Sequence, residues 1–235
     1  MLGKNLKWTS LPNLPSVHIS SGTMEAIKWL ALLSMTIDHA NRFFFNPMLH
    51  SAYCAGRIAM PLFAFIFAYN LAQPGAFSRG LYSKTLKRLL IFGLIATPGY
   101  VAMRHLLYWL PLNIMFMLAF ATATLFFYEK GGKNKILAIF IFLAGGLFVE
   151  YNWVGLFFCI SAWLYCKKPG LFSLLASLIA YGLLNQLNGN NWALLTLPLL
   201  VIATKIELHL PRIRQFFYFY YPVHLYVLYL LSKLF

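Results

Sequence analysis

Residues 26–45 read AIKWLALLSMTIDHANRFFF, and the nature of this stretch decides the fold. It is long enough to cross a bilayer, since about 20 apolar residues span roughly 30 Å of hydrocarbon. Yet Asp38 and His39 stand side by side within it. Counted from residue 26, Asp38 lies about twelve residues deep, near or just beyond the midplane at about 1.5 Å per residue. A carboxylate there costs about 2.5–3.5 kcal/mol on insertion scales, so it must face the bundle interior and have a partner.

The rest of the chain repeats the apolar theme. Of 235 residues, 61% are hydrophobic and only 10% charged, too few polar groups to coat a soluble globule. Apolar runs recur to the C-terminus, and nine spans can be drawn. They fall at about 26–45, 54–72, 86–103, 107–128, 135–149, 153–166, 170–187, 191–205 and 216–234. The expectation is an all-α polytopic membrane bundle. Residues 1–23 read as a cytoplasmic or interfacial lead-in, and 24–235 as one transmembrane domain.

Net charge is +14, but the basic residues sit between the apolar runs. Fifteen of the nineteen fall on one face of a nine-span chain. That bias explains them as topology and headgroup charges, without nucleic acid. It predicts a cytoplasmic N-terminus and a C-terminus on the outer face. The three cysteines, Cys54, Cys159 and Cys166, show no paired spacing and read as packing residues.

Five acids are present in all. Glu25, Glu129 and Glu207 flank span ends, where a solvated or headgroup role is the default. Asp38 has two candidate partners: Arg42, four residues on and on the same helical face, and Arg57 at the start of the second span. Adjacent residues point about 100° apart on a helix, so His39 is left to face a cavity. Further polar residues accumulate toward the outer span ends: Asn113, the Glu150-Tyr151-Asn152 turn, and Asn185, Gln186 and Asn188, the last three read as loop residues. His224 lies in FYFYYPVHLYVLYL, where Pro222 frees backbone carbonyls.

The runs IKWLALLSMTIDHANRFFF, AGRIAMPLFAFIFAYNL, NIMF and FYFYYPVHLYVLYLL, in that order, resemble the TraX family. Its members are membrane-embedded N-acetyltransferases of F-type conjugative pilin. The resemblance implies acetyl transfer from acetyl-CoA to the N-terminal amine of a pilin subunit, in a bacterial inner membrane with the C-terminus in the periplasm. Asp38, His39, Gly56, Arg57, Asn113, Tyr151 and His224 match the family positions, with Glu150 and Asn152 flanking the tyrosine. It implies His39, Asp38 and His224 as catalytic residues, and Arg57, Asn113, Tyr151 and Glu150 as substrate-binding ones.

The chemistry suits those residues. Acetylating an amine requires a base for the proton of an ammonium of pKa about 8, and donors for the developing oxyanion. His39 fits the first role; Asn113 and Arg57 fit the second, or hold Asp38. For the donor's phosphates the basic clusters Lys84/Arg88 and Arg212/Arg214 stand out by density. A rival reading is a non-enzymatic assembly factor or a proton-coupled transporter, since proton relays also use intramembrane Asp and His.

Overall fold

The computed structural model describes residues 14–46, 48–213 and 215–234, all helical or irregular in secondary structure apart from one isolated bridge. Arg214 and the first thirteen residues of the lead-in lie outside the described residues. The helices, in order, are α1 (Ser21–Phe44), α2 (His50–Gly56), α3 (Ala59–Ala72), α4 (Leu81–Arg104) and α5 (Ile114–Lys130). They continue with α6 (Asn134–Phe148), α7 (Asn152–Lys167), α8 (Leu171–Asn188), α9 (Thr196–Ala203) and α10 (Phe216–Leu231). A 3₁₀ turn at Trp192–Leu195 leads into α9, and α2 runs on into α3, so the described helices form nine rods.

Three of these rods are long and apolar enough by themselves to cross a membrane: His50–Ala72, Leu81–Arg104 and Leu171–Asn188. The large apolar side chains on the outside include Leu94, Ile136, Phe140 and Phe172, each more than 60% exposed. Such a continuous apolar exterior is what a lipid environment requires.

Several boundaries differ from the sequence expectation, each for a local reason. α1 begins at Ser21, five residues early, because the Ser20 hydroxyl caps it by accepting from the Thr23 N–H at 3.2 Å. The fourth rod starts at Ile114 rather than 107. Residues around Pro111 are irregular, and Asn113 provides the N-cap by accepting from the Met115 N–H. The second rod is broken at Arg57 and Ile58, which places the Arg57 guanidinium at a joint between α2 and α3.

Short connections alternate the rods between two ends. At one end the α2 Tyr53 hydroxyl donates to the carbonyl of Asn188, which closes α8. The segment before α5 pairs with the α6–α7 turn there, Leu112 bridging Val149. At the other end Lys167 pairs with Glu129, joining the last turns of α7 and α5. The Thr23 hydroxyl there donates to the Ile206 carbonyl at 2.6 Å and accepts from the Leu208 N–H at 3.0 Å.

Glu25 corrects the sequence reading. It is fully buried rather than solvated, paired with Lys28 at 2.7 Å and accepting from the Ile213 N–H at 3.3 Å. The loop from 204 to 213 is thereby strapped to the first turns of α1.

Candidate functional site

α1 brings Asp38 and His39 to the end of the bundle opposite that strap. Asp38 does not choose between its two candidate partners; it takes both. Arg57 Nη2 donates to Oδ1 at 2.7 Å, and Arg42 Nε donates to Oδ2 at 3.1 Å. Charge-assisted pairs on both oxygens offset the desolvation of a buried carboxylate. Gly56 explains how Arg57 comes so close. A Cβ there would lie 2.7 Å from the Asp38 carboxylate atoms, so only glycine lets the joint approach α1.

Arg57 is itself fixed on three further sides. Its Nε donates to the Tyr53 carbonyl at 3.2 Å, its Nη1 reaches Asn188 Oδ1 at 3.5 Å, and it lies 4.3 Å from the Tyr53 ring centre. Asn188, read from sequence as a loop residue, is therefore part of this network. Nothing local distinguishes it from Asn185 or Gln186; only the α2–α8 contact does.

His39 does not face an open cavity. Its Nδ1 lies 2.7 Å from Nε2 of His224, and the two rings are 5° from parallel with their centres 5.0 Å apart. His224 Nδ1 lies 2.9 Å from the Tyr220 carbonyl, which can only accept. His224 therefore carries its proton on Nδ1, and its Nε2 lone pair accepts from His39 Nδ1–H. One lone pair remains in the neutral pair, on His39 Nε2. That is the atom placed to take a proton.

The α10 side of the pair is held by aromatics. Tyr220 stacks on His224 at 5.0 Å, and its hydroxyl shares a 2.8 Å hydrogen bond with Thr36. Tyr221 lies edge-on to His39 at 6.4 Å and 5.6 Å from His224. Such pairs are each worth about 0.5–1.5 kcal/mol beyond burial.

The remaining sequence candidates divide. Asn113 is wholly buried and spent on architecture. Its amide donates to the Gly93 carbonyl at 2.9 Å and the Thr97 hydroxyl at 3.2 Å, while its oxygen caps α5. It thus has no donor left for an oxyanion in this conformation. Glu150 accepts from the Tyr100 hydroxyl at 3.1 Å, and Tyr151 begins α7 in the left-handed region at φ 61°. Tyr151 lies within electrostatic reach of Arg57, Asp38 and Arg42.

Arg88 sits with its guanidinium 6.0 Å from the Tyr218 ring centre, six residues before His224 on α10. At about 1.5 Å per residue that is roughly 9 Å along the helix. Lys84 is exposed one turn earlier and reaches the Arg79 carbonyl, while Arg212 is exposed on the strapped loop. Among the described residues no group of three metal-ligating side chains gathers.

Two pockets open on the surface of the bundle. One, of about 410 Å³, opens between Phe43, Ala102, His105, Tyr229 and Lys233, at the ends of α1, α4 and α10. Phe43 follows His39 by one helical turn, so this pocket lies on the His39 face of α1. The other, about 520 Å³ and largely apolar, lies between α2 and the turn at Trp192.

The model of the TraX protein family matches residues 23–232. The chain belongs to the TraX family. Taken with the apolar rods, membership makes it a membrane protein. It is also similar to an uncharacterized protein of Rickettsia prowazekii (strain Madrid E), 37% identical over 71 residues. That match takes in 30% of this chain and 24% of the relative, so the TraX chain shares about a quarter of that relative's length. No solved structure matches it.

Proposed function

We propose that this TraX chain is an acetyl-CoA-dependent N-acetyltransferase of the bacterial inner membrane, and that its acceptor is the N-terminal amine of a pilin subunit. The observation that carries the reading is the His39–His224 pair, which leaves one unused lone pair on His39 Nε2. A transferase acting on ammonium needs such a base, and a base is typically worth 10²–10⁴ in rate.

In the proposed reaction His39 Nε2 takes one proton from the acceptor ammonium. The freed amine attacks the thioester carbonyl, forming the C–N bond. The C–S bond then breaks, and the second N–H proton goes to the departing thiolate. Guanidinium N–H groups of Arg42 and Arg57 not engaged with Asp38 stabilise the developing oxyanion, since both donors of Asn113 are committed. Asp38 holds those guanidiniums in place.

The donor enters from the basic end, a cytoplasmic orientation that the charge bias supports, with 24–235 acting as one unit. Arg88 is the favoured phosphate contact, Lys84 the second. Its level on α10, roughly 9 Å below His224, lies well within half of a bilayer core of about 30 Å. Arg212 sits lower. Ile213 is tied to Glu25, fourteen residues before His39 on α1, or about 21 Å along that helix.

The test uses the purified protein in proteoliposomes, with acetyl-CoA and a synthetic pilin N-terminal peptide. One acetyl group on the α-amine is expected. An unmodified peptide, in vesicles where the protein transports solute or binds no CoA, would overturn the reading.

A further inference from the structure

The acids of this chain can be accounted for one by one, and one is left over. Glu25 is paired with Lys28, Asp38 with two arginines and Glu129 with Lys167, while Glu207 is exposed on a loop. Glu150 is different. Among the described residues it has no cation within ion-pair distance, and its one side-chain hydrogen bond comes from the neutral Tyr100 hydroxyl on Oε2. Oε1 is unused. Arg104 and Arg42 act on it only at longer range.

Its position is fixed by backbone, not by chance. The Leu112 N–H donates to the Phe148 carbonyl at 2.7 Å, and the Glu150 N–H donates to the Leu112 carbonyl at 2.9 Å. The next two residues, Tyr151 and Asn152, both have positive φ, at 61° and 47°. A tyrosine in that region is strained, and strain of this kind survives where the surroundings impose it.

The turn is linked to the histidine pair through α4 and Tyr221. Tyr100 donates to Glu150, and its neighbour Gly99 is where α4 and α10 touch: a Cβ on Gly99 would lie 3.0 Å from Leu225, the residue after His224. Tyr221 stands against both histidines, and Glu150 and Tyr100 are among the groups that act on it electrostatically. The other carboxylate here, Asp38, has an arginine on each oxygen and none to spare.

We infer that Glu150 is the counter-charge for the acceptor's ammonium, holding a protonated primary amine beside His39 and so selecting amines over uncharged acceptors. This rests on the acetyltransferase reading above. The site is otherwise rich in cations, with Arg42, Arg57 and Arg104 nearby, so a cationic acceptor needs this carboxylate to enter. Once bound, the ammonium gives one proton to His39 Nε2, and the neutral amine proceeds to attack.

The experiment compares two acceptor peptides of one sequence in proteoliposomes with acetyl-CoA. One has a free α-amine, charged at neutral pH; the other has an aminooxy terminus, which is uncharged. Glu150→Gln is expected to raise KM for the amine peptide at least tenfold while moving KM for the aminooxy peptide less than threefold. Glu150→Asp should recover part of the loss. Equal effects on both peptides, or none on either, would overturn the inference while leaving the transferase reading standing. If the parent transfers to neither peptide, the transferase reading fails and this inference with it.

A second measurement needs no variant. A peptide with a trimethylated, permanently cationic N-terminus should compete against the amine substrate of the parent protein at least tenfold better than its N-acetylated counterpart. Equal competition would also overturn the inference.

Discussion

Two buried carboxylates sit on α1, thirteen residues apart, and they do different work. Glu25, near the start, is paired with a lysine one turn away on its own helix and with the Ile213 N–H. Asp38, near the end, is paired with arginines from its own helix and from the α2–α3 joint. By pairing alone the two look alike, each a satisfied buried charge. What separates them is the neighbour. The groups on Glu25 are donors, the Lys28 ammonium and the Ile213 N–H; beside Asp38 stands His39, whose Nε2 lone pair is unspent. A paired carboxylate in a membrane bundle is thus weak evidence of chemistry. An adjacent group with an unused valence is stronger evidence.

Activity should break the comparison most sharply. His39→Ala is expected to lower the acetyl-transfer rate 10²–10⁴-fold, as for loss of a general base. Glu25→Gln should leave the rate within about threefold, since it loses only the ion pair with Lys28 at the far end of α1 from His39. Both are read by single-turnover assay in proteoliposomes. Equal losses would mean the two ends are not different in kind.

Stability should order the two acids next. Asp38→Asn leaves the buried Arg57 without its counter-charge, which costs about 3–5 kcal/mol. Glu25→Gln retains an acceptor for the Ile213 N–H and should cost about 1–3 kcal/mol. Denaturant unfolding in detergent of matched samples gives the order, and a reversed order would refute it.

The smallest effect concerns the donor end. Arg88→Ala should raise KM for acetyl-CoA about tenfold with kcat less affected, as for ground-state binding. Arg212→Ala, lower on the bundle by the reach argument, should change it less. An unchanged KM for Arg88→Ala would move the CoA contacts elsewhere.

Much of this fold was legible in the sequence. Apolar runs marked the rods because each must satisfy its backbone internally, and proline or capping residues moved only their ends. A partner for Asp38 was legible too, since an intramembrane carboxylate demands one and Arg42 lies one turn on. The His39–His224 bond was not. Its members are 185 residues apart, and only the packing of α10 against α1 and α4 brings the rings together. Asn188 was hidden for the same reason, standing among similar residues until α2 met α8. Glu25 was misread because its burial comes from a distant loop folding over it. Asn113 looked like a free amide because capping and carbonyl bonds leave no mark that distinguishes them from ligand binding.

The most direct test of the His39 proposal is chemical rescue. His39→Ala, assayed with acetyl-CoA and the pilin peptide, is given millimolar imidazole, which can occupy the space the side chain leaves and supply a lone pair in its place. The account predicts that imidazole restores a measurable part of the lost rate in His39→Ala, with one acetyl group on the peptide by intact mass, and restores none in Asp38→Asn. A His39→Ala protein that acetylates at the parent rate without imidazole would contradict it.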